Sequence, residues 1–142
     1  MIVNRLQAKP DELWFSYVVR LSDADCVPLD MFARRFLGVK CKSFDIRRGF
    51  IRFCRNLGLK DTDMAEHYLR LSIFPFEALF MTEGEQTKYV CGLLDVPGIS
   101  AKTGSFDKLR FCPCCMVEDR SRYGEVYAHR VHQLNGVKVC YK

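Results

Sequence analysis

Long apolar runs and targeting segments are missing from the sequence. A membrane-spanning helix requires about 20 consecutive apolar residues, and no stretch of the 142 residues approaches that length. The first nine residues lack the apolar core and the small-residue cleavage site of a secretory leader. We therefore predict a cytoplasmic protein that has no membrane partner and keeps its thiols reduced.

Catalytic motifs are missing as well. The chain has no Walker loop, no His-Glu-x-x-His motif, and no serine or cysteine nucleophile with an evident base. The acidic pairs at 61–63 and 118–119 are typical of helix starts and surface loops. We therefore predict a non-enzymatic protein.

Cysteine, by contrast, is abundant, with eight in the chain. Where thiols stay reduced, closely spaced cysteines indicate a metal site and not a disulfide framework. Four of them are scattered singly, as expected for small apolar residues in or near the core. These four are Cys26, Cys41, Cys54 and Cys91. The other four are grouped in the last third of the chain, as Cys112, Cys114, Cys115 and Cys140.

Cys112 and Cys115 have the spacing of a zinc knuckle. Two thiolates separated by two residues can face one cation, whose charge offsets their repulsion, and Pro113 stiffens the turn. Cys140 returns after a hairpin-length insert and offers a third thiolate, whereas Cys114 is interpreted as a bystander. The alternative is a redox Cys-x-x-Cys, which normally follows a strand in a βαβ unit. No such unit is apparent, so we predict a structural zinc ion on Cys112, Cys115 and Cys140.

The fourth ligand of a tetrahedral zinc site stays open at this point. One candidate is a residue just beyond Lys142, because Cys140 and its successors look like the first half of a second knuckle. The other candidate is a histidine within the chain. His129 follows Cys115 after 13 intervening residues, as in a two-Cys two-His finger, but only two residues separate it from His132. That finger has three to five residues between its histidines.

A strongly basic stretch occupies residues 34–60. It contains nine basic residues and one acidic residue, a net charge of +8, although the whole chain carries only +5. Such a local excess favours a polyanionic partner, with nucleic acid first and an acidic protein second, over a merely solvated helix face. The side chains predicted to contact double-stranded DNA are Arg34, Arg35, Lys40, Lys42, Arg47, Arg48 and Arg52.

Apolar periodicity predicts a mostly α-helical fold. The expected helices span residues 11–22, 28–38, 43–58 and 62–74, with a helix or mixed segment at 83–94. The first two are joined by a tight polar turn and form a unit of helix-turn-helix size. The apolar run at 73–81 is expected to be a buried turn or short helix.

Turn-forming residues at 97–104 mark the predicted boundary between two parts of the chain. Residues 1–104 are predicted to form a helical region with helix-turn-helix character. Residues 105–142 are predicted to form a small zinc finger or ribbon, in which 136–140 alternates like a strand.

Three short motifs together resemble a known family. The first is Cys112-Pro-Cys-Cys115, the second is Tyr123-Gly-Glu125, and the third is the apolar approach to Cys140-Tyr-Lys142. They are similar to the zinc-finger segment of the TniQ/TnsD family, target-selection proteins of heteromeric AAA+-dependent bacterial transposons. The opening Pro10-Asp-Glu-Leu-Trp-Phe-Ser-Tyr-Val-Val-Arg20 resembles the family's N-terminal Glu-Ser/Leu-x-Ser-x-x-x-Arg element.

The resemblance implies a function and a ligand set. Such a protein would bind insertion-site DNA and recruit the transposition machinery, or act as an adaptor between an AAA+ ATPase regulator and a CRISPR effector complex. Cys112, Cys115 and Cys140 would bind zinc. The family's histidine ligand has no counterpart before the chain stops, and Tyr141 replaces a usual proline. We therefore expect an N-terminal piece of a longer protein, while a complete short one would use His132 instead.

Overall fold

The computed structural model describes residue 2 and residues 6–38, 49–93 and 108–141. The described helices are α1 (Trp14–Ala24), α2 (Leu29–Phe32, continued by a π-helical turn at Ala33–Leu37), α3 (Phe50–Leu57), α4 (Asp61–Leu71), α5 (Phe74–Glu77, followed by a 3-10 turn at Ala78–Phe80), α6 (Glu83–Leu93) and α7 (Pro113–Tyr123), with a further 3-10 turn at Val131–Gln133. Within these ranges the chain forms no strand, only an isolated antiparallel bridge between Glu12 and His129. The predicted mostly α fold is confirmed. None of the described helices combines the length and apolar character needed to cross a bilayer.

The core lies between α1, α3, α4 and the α2 segment, which is α2 together with its π-helical turn (residues 29–37). It is rich in aromatic rings. Trp14 and Tyr17 on α1 face α3, where the ring centroids of Trp14 and Phe53 lie 4.5 Å apart at nearly right angles. Phe50 bridges from Trp14 to Tyr68 on α4. Such edge-to-face pairs add to the free energy gained by burying the rings.

Two helices end at the glycine residues that were predicted to end them. Gly38 ends the α2 segment and Gly58 ends α3, each with a positive φ, 75° and 72° respectively, which glycine adopts without steric penalty. The predicted start of the third helix near Ser43 lies outside the described residues, as does the predicted boundary at 97–104.

The apolar run at 73–81 forms a short helix and a 3-10 turn, so the predicted alternative of a short helix is confirmed, but the expected burial is wrong for its middle. Phe74 packs in the core, but Leu79 and Phe80 are 78% and 90% exposed. The 3-10 turn explains the difference, because Ala78 and Met81 on either side pack against the core and force the two residues between them outwards.

The C-terminal part is more helical than a finger or ribbon of strands. Pro113 occupies the first turn of α7, where proline favours a helix start, and no glycine or proline interrupts the sequence until Gly124. The strand predicted at 136–140 is not formed. The side chain of Arg110 instead donates hydrogen bonds to the carbonyls of Leu134 and Val137, at 2.8 and 2.9 Å.

This part packs directly on the start of α1. The backbone N–H of Leu13 donates to the carbonyl of Ala128 at 2.8 Å, and that of Arg130 donates to the carbonyl of Asp11 at 2.8 Å. The hydroxyl of Tyr127 donates to the carbonyl of Pro10 at 3.0 Å. The C-terminal segment is thereby fixed against the helical region at several backbone positions.

Candidate metal centre

Four potential metal ligands converge near the C-terminus. The ligand atoms of Cys112, Cys115, His132 and Cys140 all lie within 4.8 Å of one another. Cys115 is central to the group, because its Sγ is 3.7 Å from Nε2 of His132 and 3.7 Å from Sγ of Cys140. The three cysteines predicted from the sequence are thus brought together, and His132 supplies the fourth donor.

Local structure explains why these side chains meet. Cys112 precedes α7 with an extended backbone and Cys115 lies in its first turn, so the two sulfurs face the same side of the helix start. His132 is delivered by the 3-10 turn at Val131–Gln133. Gln133, which is fully buried, accepts from the N–H of Arg110 at 3.0 Å and donates to the Arg110 carbonyl at 2.8 Å. This reciprocal pair holds the two ligand-bearing segments side by side.

The donor set and its spacing fit a tetrahedral zinc ion. A zinc–sulfur distance of about 2.3 Å places two sulfurs of a tetrahedron about 3.8 Å apart, close to the 3.7 Å between Cys115 and Cys140. Three cysteines and one histidine form a common structural zinc set. All four positions come from protein side chains, which leaves no open position for a substrate.

The pKa values of the cluster residues are also shifted in ways that bear on metal binding. Hydrogen bonds from the backbone N–H groups of Cys115 and Cys114 lower the pKa of the Cys112 thiol. Burial raises the pKa of the Cys115 thiol to about 12, and its thiol neighbours add to the effect. Burial also lowers the pKa of His132, which keeps the ring in the neutral form that binds metals. A bound cation would stabilise the Cys115 thiolate that burial otherwise disfavours.

His129 lies beside the cluster, with its ring centroid 5.0 Å from that of His132, but it is not one of the four converging ligands. Its Nε2 lies 2.9 Å from Oδ2 of Asp119, a carboxylate that is almost fully buried. Its ring stacks on that of Tyr127 with centroids 4.4 Å apart. Of the two histidines left open by the sequence, His132 therefore joins the three cysteines. Cys114 is exposed and lies outside the cluster.

A partly buried ion network fastens the C-terminal segment to α1. Nη1 of Arg20 donates to both carboxylate oxygens of Glu12, at 2.8 and 3.1 Å, while its Nε donates to Glu125 at 2.8 Å. Lys9 also pairs with Glu125, and Ser16 accepts the N–H of Ala128 through its hydroxyl. The N-terminal Glu-Leu-x-x-Ser-x-x-x-Arg motif and the Tyr-Gly-Glu motif are thus two halves of one interface. Arg20 and Glu125 are 105 residues apart, and neither motif indicates by itself that the two meet.

The residues predicted to bind DNA are only partly within the described chain. Arg34, Arg35 and Arg52 are exposed. Nη2 of Arg52 donates to the carbonyl of Arg35 at 3.2 Å, which brings cations of the α2 segment and α3 together. The other four, Lys40, Lys42, Arg47 and Arg48, lie outside the described residues.

The described residues form a helical fold that ends in a cluster of three cysteines and one histidine able to hold a metal ion. The family model TniQ matches residues 3–142, essentially the whole chain, and the chain therefore belongs to the TniQ family. Membership makes it a transposon-associated protein and confirms the resemblance noted in the sequence. No curated protein and no solved structure matches the chain.

Substitutions of the four potential ligands should lower metal affinity, whereas substitutions of neighbouring residues should not. Cys112→Ser and His132→Ala should each lower metal affinity by roughly tenfold or more, because each removes one of four donors. Cys112→Ser should also unfold the C-terminal third. The measurements are metal content per chain, expected at about one equivalent for the unaltered protein, and far-UV circular dichroism with and without a chelator.

Cys114→Ser and His129→Ala are the matched controls and should keep the metal. Unchanged affinity in Cys112→Ser or His132→Ala would overturn the ligand set.

The ion network makes a second prediction. Arg20→Met should lower the free energy of unfolding by about 3 kcal/mol, because it leaves Glu12 buried and without its cation. The loss should shrink at acidic pH, where Glu12 becomes protonated, a change made easier because burial raises its pKa. Urea denaturation at two pH values measures both effects.

Arg34→Met is the control, since its ion pair with Asp30 is 3.8 Å long and well exposed. Such surface pairs contribute less than about 1 kcal/mol. Equal losses in the two variants would contradict a special role for Arg20.

Proposed function

We propose that the chain is a non-enzymatic target-site selector of a heteromeric AAA+-dependent bacterial transposon. It binds insertion-site DNA and recruits the transposition machinery. Membership of the TniQ family over residues 3–142 is the observation that carries this proposal. The concentration of positive charge in residues 34–60 supports DNA as the first partner.

We infer that zinc is the metal and that its role is structural. A closed set of three thiolates and one imidazole is typical of zinc sites that stabilise folding. Zinc would neutralise the thiolates that hold α7 to the segment around Cys140. The segment that carries Glu125 would then keep its position against α1.

The DNA-binding surface would be built from the α2 segment and the residues leading into α3. Among the described residues, Arg35 and Arg52 are exposed and linked through the Arg35 carbonyl. α1 and the α2 segment, which are joined by a short turn, have the size of a helix-turn-helix unit. In such a unit one helix contacts the major groove and the other contacts the DNA backbone. Cations at this position would supply phosphate contacts and the salt dependence that accompanies them.

The DNA-binding role predicts a charge-dependent loss of affinity. Arg47→Ala/Arg48→Ala should weaken binding to a duplex carrying the insertion site, because two phosphate contacts are lost. The slope of log affinity against log salt should fall by about 0.9 for each contact. Gel shifts at several salt concentrations measure this, with a scrambled duplex for comparison.

Lys88→Ala, which removes an exposed cation of α6, is the control and should bind as the unaltered protein does. Equal, weak binding to every duplex by the unaltered protein would rule out target-site reading and leave the adaptor role.

The adaptor role is the second candidate, and one surface feature favours it. Leu79 and Phe80 are exposed on a turn that is held in a fixed shape. The side-chain amide of Gln86 donates to the carbonyls of Ala78 at 3.0 Å and Met81 at 3.2 Å, on either side of the exposed pair. Two large apolar side chains presented rigidly are typical of an anchor that fills a pocket on a protein partner. The partner would be the AAA+ ATPase regulator or a CRISPR effector complex.

The adaptor role predicts that Leu79→Ser/Phe80→Ser weakens binding to the AAA+ ATPase regulator of the same transposon by tenfold or more, because an anchor of this kind contributes about 2 kcal/mol or more. Duplex affinity should not change. Biolayer interferometry with the immobilised ATPase measures the first effect and a gel shift the second.

Met31→Ser is the control, because Met31 is an exposed apolar residue elsewhere on the surface, 58% exposed. Unchanged ATPase binding by Leu79→Ser/Phe80→Ser would show that this turn does not contact the ATPase.

A further inference from the structure

A shallow concavity lies between the segment that leads into α7 and the segment that ends at Cys140. Three of the four potential metal ligands, Cys112, His132 and Cys140, contribute to its lining. The lining also includes two cations, Arg110 and Lys138, and two apolar side chains, Phe111 and Val139. These four side chains are not metal ligands and remain available for another contact.

Arg110 is fixed in place but keeps hydrogen-bonding capacity. Its Nη1 and Nη2 donate to the carbonyls of Val137 and Leu134, which engages two of the five N–H groups of a guanidinium. Lys138 on the facing segment is exposed. No carboxylate among the described residues forms an ion pair with either cation. The two positive charges are therefore available to an anionic ligand.

Phe111 places an aromatic ring beside these charges. Its side chain is 46% exposed, and Val139 opposite is 83% exposed. An aromatic ring next to cations is the arrangement by which proteins hold single strands, with a base stacked on the ring and the phosphate on the cations. A duplex keeps its bases stacked inside and would leave the ring unused.

We propose that this concavity binds one nucleotide of a single-stranded nucleic acid, with the phosphate on Arg110 and Lys138 and the base on Phe111. No described residue of the basic stretch at 34–60 lines this concavity. The chain would then contact two forms of nucleic acid through two surfaces.

Fluorescence anisotropy of the metal-loaded protein with labelled oligothymidylate or oligouridylate of about 12 nucleotides tests the proposal. Phe111→Leu should lower affinity for the single strand by about fivefold or more, because a stacked base contributes about 1–3 kcal/mol. Phe111→Tyr keeps the ring and should restore binding. Lys138→Gln should lower the salt slope by about 0.7. Duplex affinity should stay within about twofold in all three variants.

Arg120→Gln, which removes an exposed cation that lines a different groove, is the matched control and should bind as the unaltered protein does. Metal content and circular dichroism are measured for each variant, so that damage to the neighbouring cluster is recognised. Arg47→Ala/Arg48→Ala should weaken duplex binding alone, which separates this site from the DNA-binding role proposed above.

Three results would overturn the proposal. The first is single-strand binding by Phe111→Leu that equals that of the unaltered protein with its metal retained. The second is a parallel loss of single-strand and duplex binding. The third is displacement of the oligonucleotide by thymidine 5′-monophosphate at comparable affinity, which would assign the concavity to free nucleotides.

Discussion

The guanidinium of Arg20 lies between the carboxylates of Glu12 and Glu125, and the position of the metal centre depends on it. Glu12 has no exposure to solvent, so its charge is tolerated only because Arg20 and the N–H of Lys9 bind it. Glu125 follows α7 directly, and its link to Arg20 fixes the C-terminal segment against α1. The cluster of cysteines and His132 brings the two ends of that segment together, and the ion network attaches the segment to the helical core.

Much of this arrangement could be predicted from residue types and spacing. Gly38 and Gly58 end helices because they adopt a left-handed backbone at little cost, and the spacing of Cys112 and Cys115 indicates a shared ligand. Other features depend on contacts that spacing does not encode. His132 was the preferred substitute ligand in the sequence, but spacing alone left His129 open, and the structure pairs His129 with the buried Asp119 instead.

Exposure was the property that the sequence predicted least well. The run from Ile73 to Met81 is strongly apolar, and an apolar run predicts burial, yet the short turn within it directs Leu79 and Phe80 to solvent. The alternation at 136–140 predicts a strand, but a strand needs a partner, and the carbonyl of Val137 accepts a hydrogen bond from the side chain of Arg110 instead. In both places tertiary contacts override the local pattern.

The separation of Arg20 and Glu125 along the chain is 105 residues. During synthesis α1 therefore leaves the ribosome long before Glu125 exists, whereas its core partners on α3 are made much earlier. Loop closure over a long stretch of chain is slow, so α1 can pack on α3 and α4 before the C-terminal segment reaches it. The ion network would then attach a late-made segment to a core that is already formed.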